Sequence, residues 1–498
     1  MRNSALAAGA GAALAASVAS AAPEGVVQWD IARRQPHPRL LRRADTDLTT
    51  IHNDLTQGGY FATCKIGTPS QTLTLQLDTG SSDIWVPSSD ASICASSSRA
   101  SRTGGCSLGS FDQDSSTTFN VIGQDEFSIA YVDGSHANGD YFTDVFTIGG
   151  STVTNMTMGL GQDTDINFGL VGVGYTTDEA IVSSEQTLSA AYNNLPVVMA
   201  NEGVIKTVAY SLWLNDLDAS TGNILFGGID TDKYHGELTS IDIYQDADTN
   251  TFSSFLVALT SLQAISSSGT DSLSSREFPI PVVLDSGTTL SYVPQDLAQQ
   301  IWTEVGAVYN AEVGLAVIPC SRASSGGLLS FGFGGPGGPT INVTMDELVL
   351  DLFQSGGAAF SSGPYRGQQA CEFGIQNSSS DPFLLGDSFL RSAYVVYDLV
   401  NNQVALAPTD FNATSSNVVA FASSGAPIPS ATTAPHQNQV TATPAFTSPA
   451  YAASSGFASS SGAPGKKNAG PTNTVPMDLL RVGIVSVTMF LAGGLFVV

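Results

Sequence analysis

From about Gly58 to Pro408 the apolar residues fall into short groups of strand length. FATCKIG, LTLQLD, FSIAYV, YFTDVFTIG, ILFGGID and YVVYDL either alternate apolar and polar positions or run apolar between turn residues. VDGS and IGGS carry the chemistry of hairpin turns. One stretch, PQDLAQQIWTEVGAVY from Pro294, has helical spacing instead. The Gly-rich FGFGGPGGP at 331–339 has no following Lys-Ser/Thr and opens no helix, so it reads as a turn and not as a phosphate loop. The pattern predicts an all-β fold with a few short helices.

Two of these groups end in the same small loop. LDTGSSDIWVP occupies residues 77–87 and LDSGTTLSYVP residues 284–294. Each has Asp, a hydroxyl residue, Gly, two more hydroxyl residues, then an aromatic, Val and Pro at matching offsets. An apolar run precedes each copy, so each Asp stands where a buried strand enters a tight turn. Gly80 and Gly287 allow the backbone to turn sharply or approach a neighbour. Thr79, Ser81, Ser286 and Thr288 are short hydroxyls able to hold a carboxylate. Duplicated halves predict two similar lobes that bring Asp78 and Asp285 together across a cleft. Two close carboxyls share one proton over an acidic range, which supplies an acid and a base in one site. That chemistry hydrolyses amides without metal, cofactor or covalent intermediate.

The ends of the chain differ from its middle. Residues 1–21 have Arg2, an Ala-rich apolar run and small residues at Ala19 and Ala21, and read as a signal peptide; a buried N-terminal helix is the alternative. Residues 22–43 contain Arg33-Arg34 and Arg42-Arg43 and read as a short propeptide cut at a basic pair, or as a solvated basic arm. The folded part is then expected to start near Ala44. Residues 412–468 are rich in Ser, Thr, Ala and Pro and read as a disordered, O-glycosylated stalk. Residues 469–498 read as a signal for a glycosylphosphatidylinositol (GPI) anchor, with Asn468 as the attachment residue, a polar spacer and an apolar tail. A single transmembrane helix is the rival, but no basic residues follow the apolar run.

Composition narrows the function classes. Hydrophobic residues make up 42% of the 498 and charged residues only 12%, which favours turn-rich β structure. There are 18 basic residues against 44 acidic ones, so nucleic acid is not an expected partner. An acidic working environment would suit so many carboxylates. Asn155, Asn342, Asn377 and Asn412 stand in glycosylation triplets. Cys94 with Cys106, and Cys320 with Cys371, are the expected disulfides, although spacing leaves other connectivities open; Cys64 then remains as a buried thiol. The five His form no HExxH and the chain has no G-x-S-x-G elbow, so metalloprotease and serine-hydrolase readings lack support.

The repeated loop, with its neighbours, resembles the pepsin-type aspartic proteases from about Tyr60 to Pro408. YFATCKIGTPSQ resembles their first strand and turn, and AYVDGS at 130–135 their flap hairpin. FGLVGVG at 168–174 and FLLGDSFLR at 383–391 resemble the segments threaded beneath the catalytic loops. GVGYTTDEA, SLWLNDLDASTGNILFGGID and LLGDSFLRSAYVVYDL are most similar to the fungal candidapepsin and yapsin types. The resemblance implies a bilobal fold of two related β-barrel lobes, here 44–235 and 236–411, and endopeptidase activity on polypeptides. It implies that Asp78 and Asp285 are catalytic and that Thr79 and Ser286 tie the loops together. Tyr131 takes the flap tyrosine position and Trp85 that of its partner. Asp133, Gly134, Ser135, Gly287 and Thr288 take substrate-contacting positions. It further implies a monomer, extracellular and GPI-anchored at the cell membrane or in the cell wall, with a preference for basic residues to which Asp133 would contribute. The stretch before Arg43 is shorter than the family's usual pro-segment. A silent adhesion or wall-binding protein on the same fold is the alternative, and the intact loops speak against it.

Overall fold

The computed structural model describes residues 23–34, 59–95, 105–219, 221–275, 277–311, 314–351, 359–440, 449–453 and 457. The expected signal peptide, the Arg42-Arg43 pair, Asn468 and the expected anchor signal lie outside these residues.

The N-terminal half is built from β1 (Val27–Arg34), β2 (Gly59–Ile66), β3 (Gln71–Asp78), β4 (Ile84–Pro87), β5 (Asn120–Ala130), β6 (His136–Ile148), β7 (Ser151–Thr164) and β8 (Leu170–Gly172). Strands β2, β3, β8, β4, β7 and β6 neighbour one another in that order, and a second pairing of β2 with β6 closes them into a barrel. The alternation in β3 sends Leu73, Leu75 and Leu77 into the barrel core with Phe142, Phe146, Met156 and Met158. The turn Gly149-Gly150, with both residues at positive φ, links β6 to β7. A Cβ at Gly149 would run into the Gln28 carbonyl, so the side-chain-free backbone is needed for close approach as well.

The C-terminal half places Leu256–Ser266, Ile280–Leu284, Phe383–Leu385, Ser291–Pro294 and Ile375–Ser378 side by side in a second sheet. The predicted helix is Gln295–Val305; it buries Leu297, Ala298, Ile301 and Val305 and stops at Gly306, φ +81°. The Gly-rich stretch ends the strand Leu328–Phe333 in a turn with Gly334, Gly335 and Gly337 at positive φ. Both halves contribute to one central sheet. In it Ala393–Asp398 pairs with Ala209–Trp213, which pairs with Thr221–Phe226.

Two segments outside the expected lobes, 44–235 and 236–411, pair with them in the structure. Residues 27–34, expected to lie in a detached propeptide, are a strand inside the central sheet. β1 pairs with Thr221–Phe226 on one side and with β2 on the other. Its period-two pattern buries Val27, Trp29 and Ile31 and leaves Gln28 and Asp30 exposed, and the Trp29 indole donates to the Thr63 carbonyl at 3.0 Å. The C-terminal lobe also does not end at 411. Val418–Ala420 pairs with Gly228–Asp230, and Ala431–Thr433 with Leu238–Asp242. Phe421, Ile428 and Ala434 are buried. Composition predicts little burial for this segment, but a few well-separated apolar side chains suffice to seat it.

Cys94 is joined to Cys106 and Cys320 to Cys371. Cys64 is free and buried, and burial pushes its thiol up to about 12, which leaves it unreactive at physiological pH. Asn155, Asn342 and Asn412 are exposed and Asn377 is partly exposed. Among the described residues no helix is long and apolar enough to cross a membrane.

Candidate active site

Asp78 ends β3, and β8 runs parallel beside it in the register Leu77–Val171 and Asp78–Gly172. The second lobe repeats the device, with Phe383–Leu385 parallel to Ile280–Leu284 and Leu284 opposite Leu385. Each catalytic-loop candidate is therefore held from below by a buried apolar strand. Gly172 is packed so closely on Ser82 and Asp83, and Gly386 on the Thr288 and Leu290 carbonyls, that a Cβ at either would collide with backbone.

The two loops are locked together by four hydrogen bonds in a near-symmetric pattern. The Thr79 hydroxyl donates to the Leu284 carbonyl (2.9 Å) and accepts from the Ser286 N–H (2.9 Å). The Ser286 hydroxyl donates to the Leu77 carbonyl (3.1 Å) and accepts from the Thr79 N–H (3.2 Å). Gln76 adds a contact from its side-chain amide to the Gly287 carbonyl at 3.1 Å.

Within this clamp the carboxyls of Asp78 and Asp285 are hydrogen-bonded to each other, and both are almost wholly buried. Asp78 accepts from the Gly80 N–H (2.8 Å) and the Ser81 hydroxyl (2.5 Å). Asp285 accepts from the Gly287 N–H (2.8 Å) and the Thr288 hydroxyl (2.5 Å). Gly80 lies against the Asp285 carboxyl and Gly287 against that of Asp78, and neither position has room for a Cβ. Burial first, then the charge of Asp285, raises Asp78 well above the usual carboxylate range. Asp285 is also raised by burial, but the bonds from Thr288, Gly287 and Asp78 pull it back. The two carboxyls therefore titrate as a unit and hold one proton between them over an acidic range.

The turn Tyr131–Ser135 joins β5 to β6 and forms the tip of a hairpin. Tyr131 and Ser135 are bonded across it (2.9 Å), and Gly134 takes φ +82°. Asp133 Oδ1 stiffens it by accepting from the Ser135 N–H (2.9 Å) and hydroxyl (2.6 Å). The Tyr131 hydroxyl accepts from the Trp85 indole at 2.7 Å, which fixes the hairpin to the loop that carries Asp78.

Sequence reasoning missed a group of acids beside this site. Asp83 is fully buried and accepts from the Ala180 N–H (2.8 Å) and the hydroxyls of Tyr192 (2.7 Å) and Tyr141 (3.3 Å). Glu179 is raised to about 10, first by burial and then by Asp83, so it is neutral. Asp178, partly exposed, is raised by burial and by the charges of Asp83 and Asp78. The signal for Asp83 was in the repeat itself, where the second loop has Leu290 at the matching place. On the other lobe Asp387 is buried beneath the Thr288 loop, its N–H donating to the Thr288 carbonyl at 2.8 Å. Burial raises it, and the charges of Arg391 and Arg33 oppose that rise. Arg391 is wholly buried and ion-paired to Glu347, and it also donates to the Glu347 carbonyl at 2.5 Å.

Residues 59–409 match the family of eukaryotic aspartyl proteases. A probable aspartic-type endopeptidase opsB of Aspergillus oryzae is 40% identical over 412 residues, covering 82% of this chain and 81% of that one. Aspartic proteinase 3 of Saccharomyces cerevisiae is 33% identical, covering 81% and 78%. Secreted aspartic protease 8 of Candida albicans is 35% identical, covering 74% and 80%. The chain belongs to the pepsin-type aspartic protease family and is an aspartic-type endopeptidase.

Proposed function

We propose that the chain is an extracellular, surface-anchored endopeptidase that cuts polypeptides at acidic pH through Asp78 and Asp285. The observation that carries this reading is the buried carboxyl pair itself, hydrogen-bonded across two clamped loops. The ionised carboxylate of the pair takes a proton from a water as the water oxygen attacks the scissile carbonyl carbon. The protonated partner gives its proton to the carbonyl oxygen, and a tetrahedral diol forms. Collapse of the diol returns a hydroxyl proton to that partner, breaks the C–N bond and passes the proton on the other carboxyl to the leaving amine. Tyr131, Asp133, Gly134 and Ser135 close over the substrate from the flap, with Gly287 and Thr288 on the facing loop. Asp78→Asn and Asp285→Asn should each abolish hydrolysis while the protein stays folded. Full-rate cleavage by either variant would overturn the mechanism.

Three finer parts belong to the same proposal. Asp133 has Oδ1 engaged in the turn, and its second oxygen is the candidate partner for a Lys or Arg side chain of the substrate. Lys- and Leu-containing peptides compared on wild type and Asp133→Ala test this; an undiminished basic preference in the variant refutes it. Secretion rests on residues 1–21 and on the exposed glycosylation triplets, and it accords with the name of the secreted Candida relative. Anchoring at Asn468 is tested by phospholipase release of the protein from cells, and failure of release sinks it.

A further inference from the structure

The stretch expected to be a free stalk touches down on the C-terminal lobe a second time, well past residue 440. Ala450–Tyr451 pairs antiparallel with Gly269–Leu273, placing Tyr451 opposite Asp271 and Ala450 opposite Ser272. The Asp271 carboxylate then accepts the N–H groups of Ala452 and Ala453, the latter at 2.6 Å. Phe457 is 5% exposed and joins the hydrophobic core of the lobe. Its N–H donates to the Glu304 carbonyl at 3.1 Å, and its carbonyl accepts from Arg322 at 2.9 Å. The ring lies on Gly327, where a Cβ would meet it at 2.6 Å. An added strand, a carboxylate receiving two backbone amides, and one aromatic anchor in a glycine-floored pocket together make a peptide-binding surface.

We propose that this face of the C-terminal lobe is a docking site for the chain's own tether, through residues 450–453 and Phe457, and that the carboxyl pair Glu304–Asp271 makes the docking pH-dependent. Glu304 is 6% exposed and hydrogen-bonded to Asp271, which itself faces Tyr451. Burial first, then the charge of Asp271, raises Glu304 to about 7. Among the described residues the other ionisable groups at this face are Tyr451, whose phenol is raised by burial first and then by both carboxylates, and Arg322, which holds the Phe457 carbonyl. Below that value one proton bridges the carboxyls while Asp271 still receives the two amides. Above it, two carboxylates lie side by side under the tether, and undocking relieves them by letting in water. The docked state binds this proton more tightly. Docking is therefore firmest below the ordinary glutamate range, weakens as pH rises toward 7, and changes little beyond it.

On the reading that Asn468 carries the anchor, docking sets the length of the leash. From Phe457 the extended chain to Asn468 spans at most about 40 Å, and from Val440 at most about 100 Å. An acidic medium would hold the protease close to its surface and a neutral one would let it range.

Hydrogen–deuterium exchange on the full-length protein in detergent, inhibited with a pepstatin-type compound, tests this without reference to the anchor. Amides of Ala452, Ala453 and Phe457 are followed at pH 5 and pH 8 and corrected for intrinsic rates. Each pH unit by which docking raises the titration of Glu304 is tenfold in the docking equilibrium. Protection should thus fall by about tenfold or more between the two pH values. Glu304→Gln should keep its pH 5 protection at pH 8, as should Asp271→Asn, which retains an acceptor oxygen. Phe457→Ser should lose protection at both. Unprotected wild-type amides at pH 5, equal protection at both pH values, or an unchanged pH dependence in both neutral variants would each overturn the proposal.

Discussion

Replacing Thr79 by Val tests whether the clamp between the loops positions the carboxyl pair. The change keeps the side-chain shape and removes one hydroxyl. That hydroxyl serves the Leu284 carbonyl and the Ser286 N–H, both buried. Each of the two groups left without a partner costs about 1–3 kcal/mol, so a destabilisation of about 2–6 kcal/mol is expected. Ser286→Ala strands the Thr79 N–H and the Leu77 carbonyl in the same way. The bonds are distinct, so independent losses would simply add. They nevertheless hold the same two loops, and once the loops part the second pair is already broken. The double variant should therefore fall short of the sum by about 1–2 kcal/mol. Misplacing one carboxyl by about 1 Å costs on the order of a hundredfold in kcat. Peptide hydrolysis should show that loss with KM changed by less than about threefold, and Thr79→Ser should restore the rate. A Thr79→Val enzyme with wild-type kcat, or strictly additive stabilities, would refute the reasoning.

Trp85→Phe removes the donor to the Tyr131 hydroxyl and should lower kcat/KM about fivefold to tenfold, with Tyr131→Phe no worse when combined with it. An additive double variant would show the bond to be idle. The pH dependence of stability follows from buried acids whose titrations are raised, Asp78, Asp83, Glu179 and Asp387. The folded state binds more protons than the unfolded one, so these groups contribute most below the ordinary carboxylate range. Their contribution shrinks as pH rises through it. Denaturant midpoints that rise from pH 4 to pH 8 would contradict this. Arg391→Met leaves Glu347 buried without its partner and should cost about 3–5 kcal/mol, whereas adding Glu347→Leu should recover most of it, measured by chemical denaturation. Failure of the second change to rescue would mean that Arg391 mainly serves Asp387.

The core of the site was legible because its geometry is local. The Asp, the glycine behind it and the hydroxyls that bond it lie within four consecutive residues of each copy, and the duplication removes chance as an explanation. The hairpin turn Tyr131–Ser135 was legible for the same reason, as VDGS is one turn. What escaped depends on distance along the chain. Asp83 meets Tyr141 and Tyr192 from 58 and 109 residues away, and no period or spacing announces such a pairing. β1 was hidden by its own charge. VVQWDIARR alternates cleanly, but its paired arginines point to processing, and the partner strand Thr221–Phe226 is remote in sequence. The tether escaped because Phe421, Ile428 and Phe457 are too sparse to raise the local hydropathy, although each is buried.

A loop written twice would by itself give two equivalent acids, and a reaction that needs one donor and one base requires that equivalence to be broken. The two copies differ in acidic residues at one position within the repeat, and in what surrounds it. On the N-terminal side the matching position to Leu290 is Asp83, and Asp178 and Glu179 crowd the same flank. Burial holds that flank back from charging: Glu179 is neutral, and Asp83 and Asp178 are raised. On the C-terminal side the nearest extra carboxyl, Asp387, is countered by the charges of Arg391 and Arg33. The surroundings of Asp78 and Asp285 therefore differ, although their own hydrogen bonds mirror each other. Arg33 comes from β1, so the strand that completes the central sheet also contributes to the charge balance around Asp387, beneath the Thr288 loop. The symmetric clamp fixes where the two carboxyls are, and the pair shares its one proton between two flanks that are not alike.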